Sequence, residues 1–135
     1  MKSTGMANWV VHKFGGTSVY DAECFRKVAD IVESQAGSPA APRLAVVLSA
    51  AKGTTDVLLG LVTLAEKQDP SIGVQLQALR DRHRAIAEGL LTPAAAAKWL
   101  EGFDRDRADL EGVLHTTSLM RSAAQNVRDL VAGYG

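Results

Sequence analysis

The chain has 135 residues, 47% hydrophobic and 22% charged, a size and composition that suit a folded domain with a real core and exclude a disordered tail. Fifteen basic residues balance fifteen acidic ones with no basic stripe, so nucleic acid is not an expected partner. The single cysteine, Cys24, excludes an internal disulfide framework, and no run reaches the roughly eighteen apolar residues of a membrane span.

Residues 1–8 read as a short polar leader with no secretory pattern, and a reducing, cytoplasmic setting is the default expectation. Trp9–Lys13 is β-rich and nearly continuous in apolar character, which predicts a buried parallel strand ending at a lysine. Gly15-Gly16 breaks it. Ser18 and Asp21 have the spacing of a capping box, so a helix is predicted to begin near Ser18–Asp21. Its apolar stripe is Phe25, Val28, Ala29 and Val32, and Gly37-Ser38-Pro39 ends it, with a small-residue linker to Pro42. Leu44–Leu48 is a second buried-strand candidate. The loop Ser49–Thr55 follows, then a helix carrying Val57, Leu58, Leu61, Val62 and Ala65. This βαβα order, with a right-handed crossover, makes the strands parallel neighbours and opens both following loops at one carboxyl edge, where α/β sheets place ligands.

Beyond Pro70 the pattern turns helical. Helices are predicted over 71–91 and 93–115, the second entered by Thr92 as N-cap and Pro93 at the first position, with Trp99, Phe103, Leu110 and Leu114 on its apolar face. A last helix is expected over 122–132, entered at Ser122 and closed by Gly133. Arg80, Arg82, Arg84, Arg105 and Arg107 alternate with Asp81, Asp104, Asp106 and Asp109, as on a solvated, salt-bridged face. Two strands are few for an α/β sheet, and a Gly-Tyr-Gly ending invites another element, so an amino-terminal part of a larger protein is expected.

The groups suited to chemistry gather in the two loops. Lys13, delivered by a strand, either neutralises an anion or carries its head out to solvent. Gly15 and Gly16 allow a tight turn and close approach of an anion to the backbone. Thr17 and Ser18 suit helix capping and ligand contact alike, since a helix start is itself an anion site. Ser49, with Lys52, Gly53, Thr54 and Thr55 behind it, suits a small anion such as a carboxylate, although Thr54 or Thr55 also fits the role of N-cap. His12, His83 and His115 lack metal-ligand spacing and read as structural or surface residues, with His12 pointing away from the face of Lys13. Cys24 has no evident base beside it and reads as an inert thiol.

At Lys13-Phe-Gly-Gly-Thr-Ser-Val19 the sequence strongly resembles the aspartate kinases of the amino-acid kinase superfamily. Phe25-Arg-Lys-Val-Ala-Asp-Ile-Val-Glu33, Val46-Val-Leu-Ser-Ala50 with Gly53-Thr-Thr-Asp56, and Val113-Leu-His-Thr-Thr-Ser-Leu119 agree with it. The resemblance implies an α/β fold of the amino-acid-kinase type, a three-layer α/β/α sandwich. Residues 9–135 would be the amino-terminal part of its catalytic domain, with a βαβα loop region over 9–69 and a helical segment over 70–135. It implies transfer of a phosphoryl group from ATP, with Mg2+, to the side-chain carboxylate of L-aspartate, giving 4-phospho-L-aspartate. Lys13 would be catalytic. Lys13, Gly15, Gly16, Thr17 and Ser18 would hold the ATP phosphates, and Ser49 and Thr55 would hold aspartate, with no metal ligand from the protein. The family's later motifs lie beyond residue 135, so the chain alone is expected to be inactive, joined either to the remainder of the enzyme or to another copy in a homo-oligomer. Fusion to homoserine dehydrogenase or diaminopimelate decarboxylase is compatible with the motif. Two other readings stand beside it: an amino-acid kinase with a different acceptor, and a non-catalytic, anion-binding or self-associating fragment with an open sheet edge.

Overall fold

A computed structural model describes residues 8–37 and 42–135. The expected leader, apart from Asn8, and the Ser38–Ala41 part of the linker lie outside the described residues. The elements are β1 (Trp9–Phe14), a 3-10 turn (Gly16–Val19), α1 (Ala22–Ala36), β2 (Arg43–Leu48), α2 (Thr54–Glu66), α3 (Ile72–Leu90), α4 (Pro93–Met120) and α5 (Gln125–Ala132). The chain divides into two compact units, the first ending at Lys52 and the second running Gly53–Gly135.

In the first unit β1 and β2 pair in parallel, from Trp9 opposite Arg43 to Phe14 opposite Leu48, as the βαβ order requires. The expectation of two buried strands is corrected. Along β1 exposure alternates, and Trp9 and Val11 remain 60% and 66% exposed. The reason is the period of two: His12 meets α1 through Gln35, 2.8 Å away, so its neighbours Val11 and Lys13 lie on the opposite face. Nothing among the described residues covers that face deeply. The helix start is also refined. Gly16–Val19 winds as a tighter 3-10 turn, closed by the Ser18 N–H donating to the Gly15 carbonyl at 2.9 Å. Asp21, not Ser18, is the N-cap of α1, its Oδ1 accepting from the Cys24 N–H at 2.9 Å. That bond from the backbone holds the Asp21 carboxyl below its ordinary value of 3.8.

The second unit is helical. Leu58, Leu61, Val62 and Ala65 recur at helical spacing on α2 and bury against Leu76 and Leu79 of α3, Leu110 and Leu114 of α4, and Val131 of α5. Each fully buried aliphatic side chain contributes roughly 1.5–3 kcal/mol, so this cluster dominates the stability of the unit. Gly53, not Thr54 or Thr55, caps α2, in the left-handed conformation at φ 80° that only glycine adopts cheaply. Thr92 caps α4 as expected, accepting from the Ala95 N–H at 3.4 Å. That helix runs to Met120 rather than 115, with the Thr116 and Thr117 hydroxyls satisfied by the Gly112 and Val113 carbonyls, and Arg121 ends it with φ 54°. The last helix begins at Gln125 rather than Ser122, because the Ala123 N–H is drawn to Glu66 on α2 at 2.9 Å instead of entering a helical turn. The charged face behaves as expected: Arg80 grips Asp104 of α4 through two bonds at 2.6 and 2.7 Å, while Arg84–Glu88 and Arg107–Glu111 pair along their helices.

Candidate functional site

The site is built by the ends of two parallel strands. Because β1 and β2 run the same way, the turn after Phe14 and the loop after Leu48 leave the sheet at one edge. The Ser49 N–H donates to the Phe14 carbonyl at 3.0 Å, carrying the ladder one bond past the last strand pair and fixing where the second loop departs.

Lys13 stands next to last in β1, opposite Val47, with an exposed side chain on the face away from α1. Among the described residues it enters no ion pair, whereas Lys27, Arg80, Arg84, Arg107 and Arg128 are all matched with carboxylates. His12, its neighbour, faces Gln35 and stacks near the Phe14 ring at 6.1 Å, a structural role as expected.

The two glycines serve different ends. Gly15 is extended, with φ −78°, so handedness does not demand glycine there. A side chain at that position would meet no atom within 4 Å, and the backbone is simply left bare toward open space. Gly16 is where the loops touch: a Cβ there would lie 3.4 Å from Lys52 Cα and 3.7 Å from the Ala50 carbonyl oxygen. Thr17 is exposed and Ser18 half-buried in the turn, and Ser49 is exposed at the start of the second loop. Thr55 is exposed in the first turn of α2 and belongs to the second unit. The first unit thus brings together Lys13, Gly15, Gly16, Thr17, Ser18 and Ser49 at one edge. A cation without an ion pair among the described residues, a bare backbone segment and hydroxyls make a set that favours an oxyanion.

Sequence reasoning missed Tyr20. The Lys52 ammonium lies 5.7 Å from the centre of its ring, joining the second loop to the end of the 3-10 turn. A basic residue and an aromatic 32 positions apart leave no local pattern, so only the strand pairing reveals them as neighbours. Cys24 is a free, half-buried thiol on α1. His83 donates from Nδ1 to the Leu79 carbonyl at 2.8 Å and packs on Phe103, again structural. Among the described residues no group of three or more His, Cys, Asp or Glu is arranged to hold a metal, and no helix is long and apolar enough to cross a membrane.

A family model described as the amino acid kinase family matches residues 8–132, and the chain belongs to that family. Its two parallel strands and five described α-helices are an amino-terminal portion of such an α/β domain. Among curated proteins it is similar to aspartokinases. It is 38% identical over 120 residues to the lysine-sensitive aspartokinase 3 of Escherichia coli, covering 88% of this chain and 23% of that protein. It is 32% identical over 127 residues to the chloroplastic bifunctional aspartokinase/homoserine dehydrogenase 2 of Arabidopsis thaliana, covering 94% and 13%. Similarity to the aspartokinase of Saccharomyces cerevisiae is 29% over 138 residues, covering 96% and 26%. The chain therefore spans about a quarter or less of the length of these relatives.

Proposed function

We propose that this chain carries the phosphate-holding and acceptor-holding loops of an aspartate kinase, an enzyme that phosphorylates the side-chain carboxylate of L-aspartate with MgATP. The observation that carries the reading is Lys13: an exposed cation, without an ion pair among the described residues, beside the bare backbone of Gly15, at the edge where two parallel strands end. In the reaction an aspartate carboxylate oxygen attacks the terminal phosphorus while the bond to the ADP oxygen breaks. The Lys13 ammonium draws off the negative charge that spreads over the transferring oxygens. The Gly15 and Gly16 amides and the Thr17 and Ser18 hydroxyls orient the phosphates, and Ser49 and Thr55 hold aspartate, so that the two reactants meet in line. Mg2+, entering with the nucleotide, would supply further neutralisation of the phosphate charge. A cytoplasmic setting suits a free thiol and this chemistry. Over the whole enzyme we assign residues 9–135 to the amino-terminal part of the catalytic domain.

The test is a titration of the 135-residue chain with MgATP, followed by amide chemical shifts. Shifts centred on Lys13 and Gly15–Ser18, and at least about tenfold weaker binding in Lys13→Ala, are expected, since one charge-assisted contact is worth about 1.5–3 kcal/mol. Binding unchanged by Lys13→Ala would defeat the proposal. Parallel titrations with L-aspartate and L-glutamate separate the aspartate acceptor from that of another amino-acid kinase. The self-associating reading has its own support in the exposed Trp9, Val11 and Val47, and it requires oligomers that grow with concentration and ignore both ligands.

A further inference from the structure

We infer that Lys52 is a second cation of the phosphate site, parked on the Tyr20 ring and transferred to a phosphate oxygen when the nucleotide binds. This rests on the phosphate-site reading of Lys13 and Gly15–Ser18. Three observations carry it. The backbone of Lys52 packs directly on Gly16, its Cα 3.4 Å from where a Cβ of that glycine would stand, so the residue is anchored at the turn assigned to the phosphates. Its ammonium is held by a ring face and, among the described residues, enters no ion pair with a carboxylate. Its side chain is exposed, so its movement disturbs no core.

The physical contrast is between the two partners. An exposed ring face holds an ammonium weakly through its quadrupole, whereas a phosphate oxygen offers a full charge and a hydrogen-bond acceptor. A lysine four methylenes long, pivoting on a fixed Cα, exchanges one for the other without backbone motion. With Lys13 on β1 and Lys52 on the second loop, the strand and the loop each contribute one exposed positive charge. A polyphosphate, with several charged oxygens in a row, is the ligand class that engages both.

The transfer makes a prediction that a purely structural strap does not. If Lys52 and Tyr20 only tie the loops together, Lys52→Met and Tyr20→Leu weaken MgATP binding alike. If the ring merely parks the ammonium, the two substitutions act in opposite directions. The experiment is MgATP titration of the wild-type chain and both variants, with circular dichroism checking that each is folded, and the Tyr20 ring resonances followed by NMR. Expected are a five- to tenfold weaker Kd for Lys52→Met, an unchanged or tighter Kd for Tyr20→Leu, and a shift of the ring protons on saturation. Equal weakening in both variants, or wild-type affinity in Lys52→Met, overturns the role of Lys52 while leaving Lys13 intact. Wild-type protein that binds no MgATP overturns both. Inorganic tripolyphosphate reproduces the pattern if the phosphates are the ligand, and a Lys52 effect seen only with L-aspartate refutes that assignment.

Discussion

At the scale of single residues, Thr54 shows the cost of a polar atom in the wrong place. It is the first residue of α2, 3% exposed, and among the described residues its hydroxyl finds no hydrogen-bond partner. At the first position of a helix it has no carbonyl of a preceding helical turn to bond, so burial leaves the hydroxyl without a partner among the described residues. Thr54→Val keeps the shape and removes the debt. A gain of about 1 kcal/mol in unfolding free energy by urea titration is expected, and a loss of stability would mean the hydroxyl has a partner after all. The neighbouring Thr55 is exposed, so the two threonines of one dipeptide divide between core and solvent. Local pattern could not separate them, because either would serve as an N-cap, and the cap proved to be Gly53.

At the scale of elements, Glu66 ties the end of α2 to the start of α5. Its carboxylate accepts the Ala123 N–H and meets Arg128 at 2.6 Å. The backbone bond first, and then the arginine, hold its carboxyl below the ordinary value of 4.5. A carboxyl whose folded value is depressed binds its proton more readily in the unfolded chain. Its contribution is therefore present above about pH 4.5 and is lost as pH falls through the lower folded value. Wild-type protein is expected to exceed Glu66→Gln in urea midpoint at pH 7, with the gap narrowing progressively below pH 4.5. A gap that stays constant with pH would show that the charge is not the source. This clasp is also why the last helix started later than its sequence suggested: Ser122 is a good cap, but a tertiary acceptor 57 residues away took the Ala123 N–H. Elements set by short-range chemistry were legible, as with Thr92-Pro93 opening α4 and Gly37 closing α1. Those set by distant partners were not.

The apolar cluster lies in the second unit, whereas the candidate site residues other than Thr55 lie in the first. Leu58, Leu61, Val62, Leu76, Leu110, Leu114 and Val131 all belong to the helical unit. The strand unit buries little more than Val19, Val28 and Ala51 among its described residues. Local opening is easiest where few apolar groups are buried. Hydrogen exchange at pH 7 is accordingly expected to protect the amides of α2 and α4 longer than those of β1 and β2, by at least about tenfold. Uniform protection would imply a single cooperative unit. The sequence reading expected buried strands because apolar runs usually mark them, and it found the lysine and glycine turn for the same reason, as an interruption of such a run. Residue types pointed to the two loops but not to the exposure of the strands, which depends on what lies against a sheet face and not on the strand itself.

The close approach of Gly16 to the second loop links two choices that a sequence presents as separate. The turn assigned to the phosphates rests, through a glycine without a side chain, on the backbone of Ala50 and Lys52. Any change that thickens or reroutes the loop at Ala50–Lys52 therefore pushes on the turn at Gly16 as well. On the assignment proposed above, the surfaces for the two substrates must vary together, and altering the acceptor preference by loop substitution alone would lower nucleotide affinity.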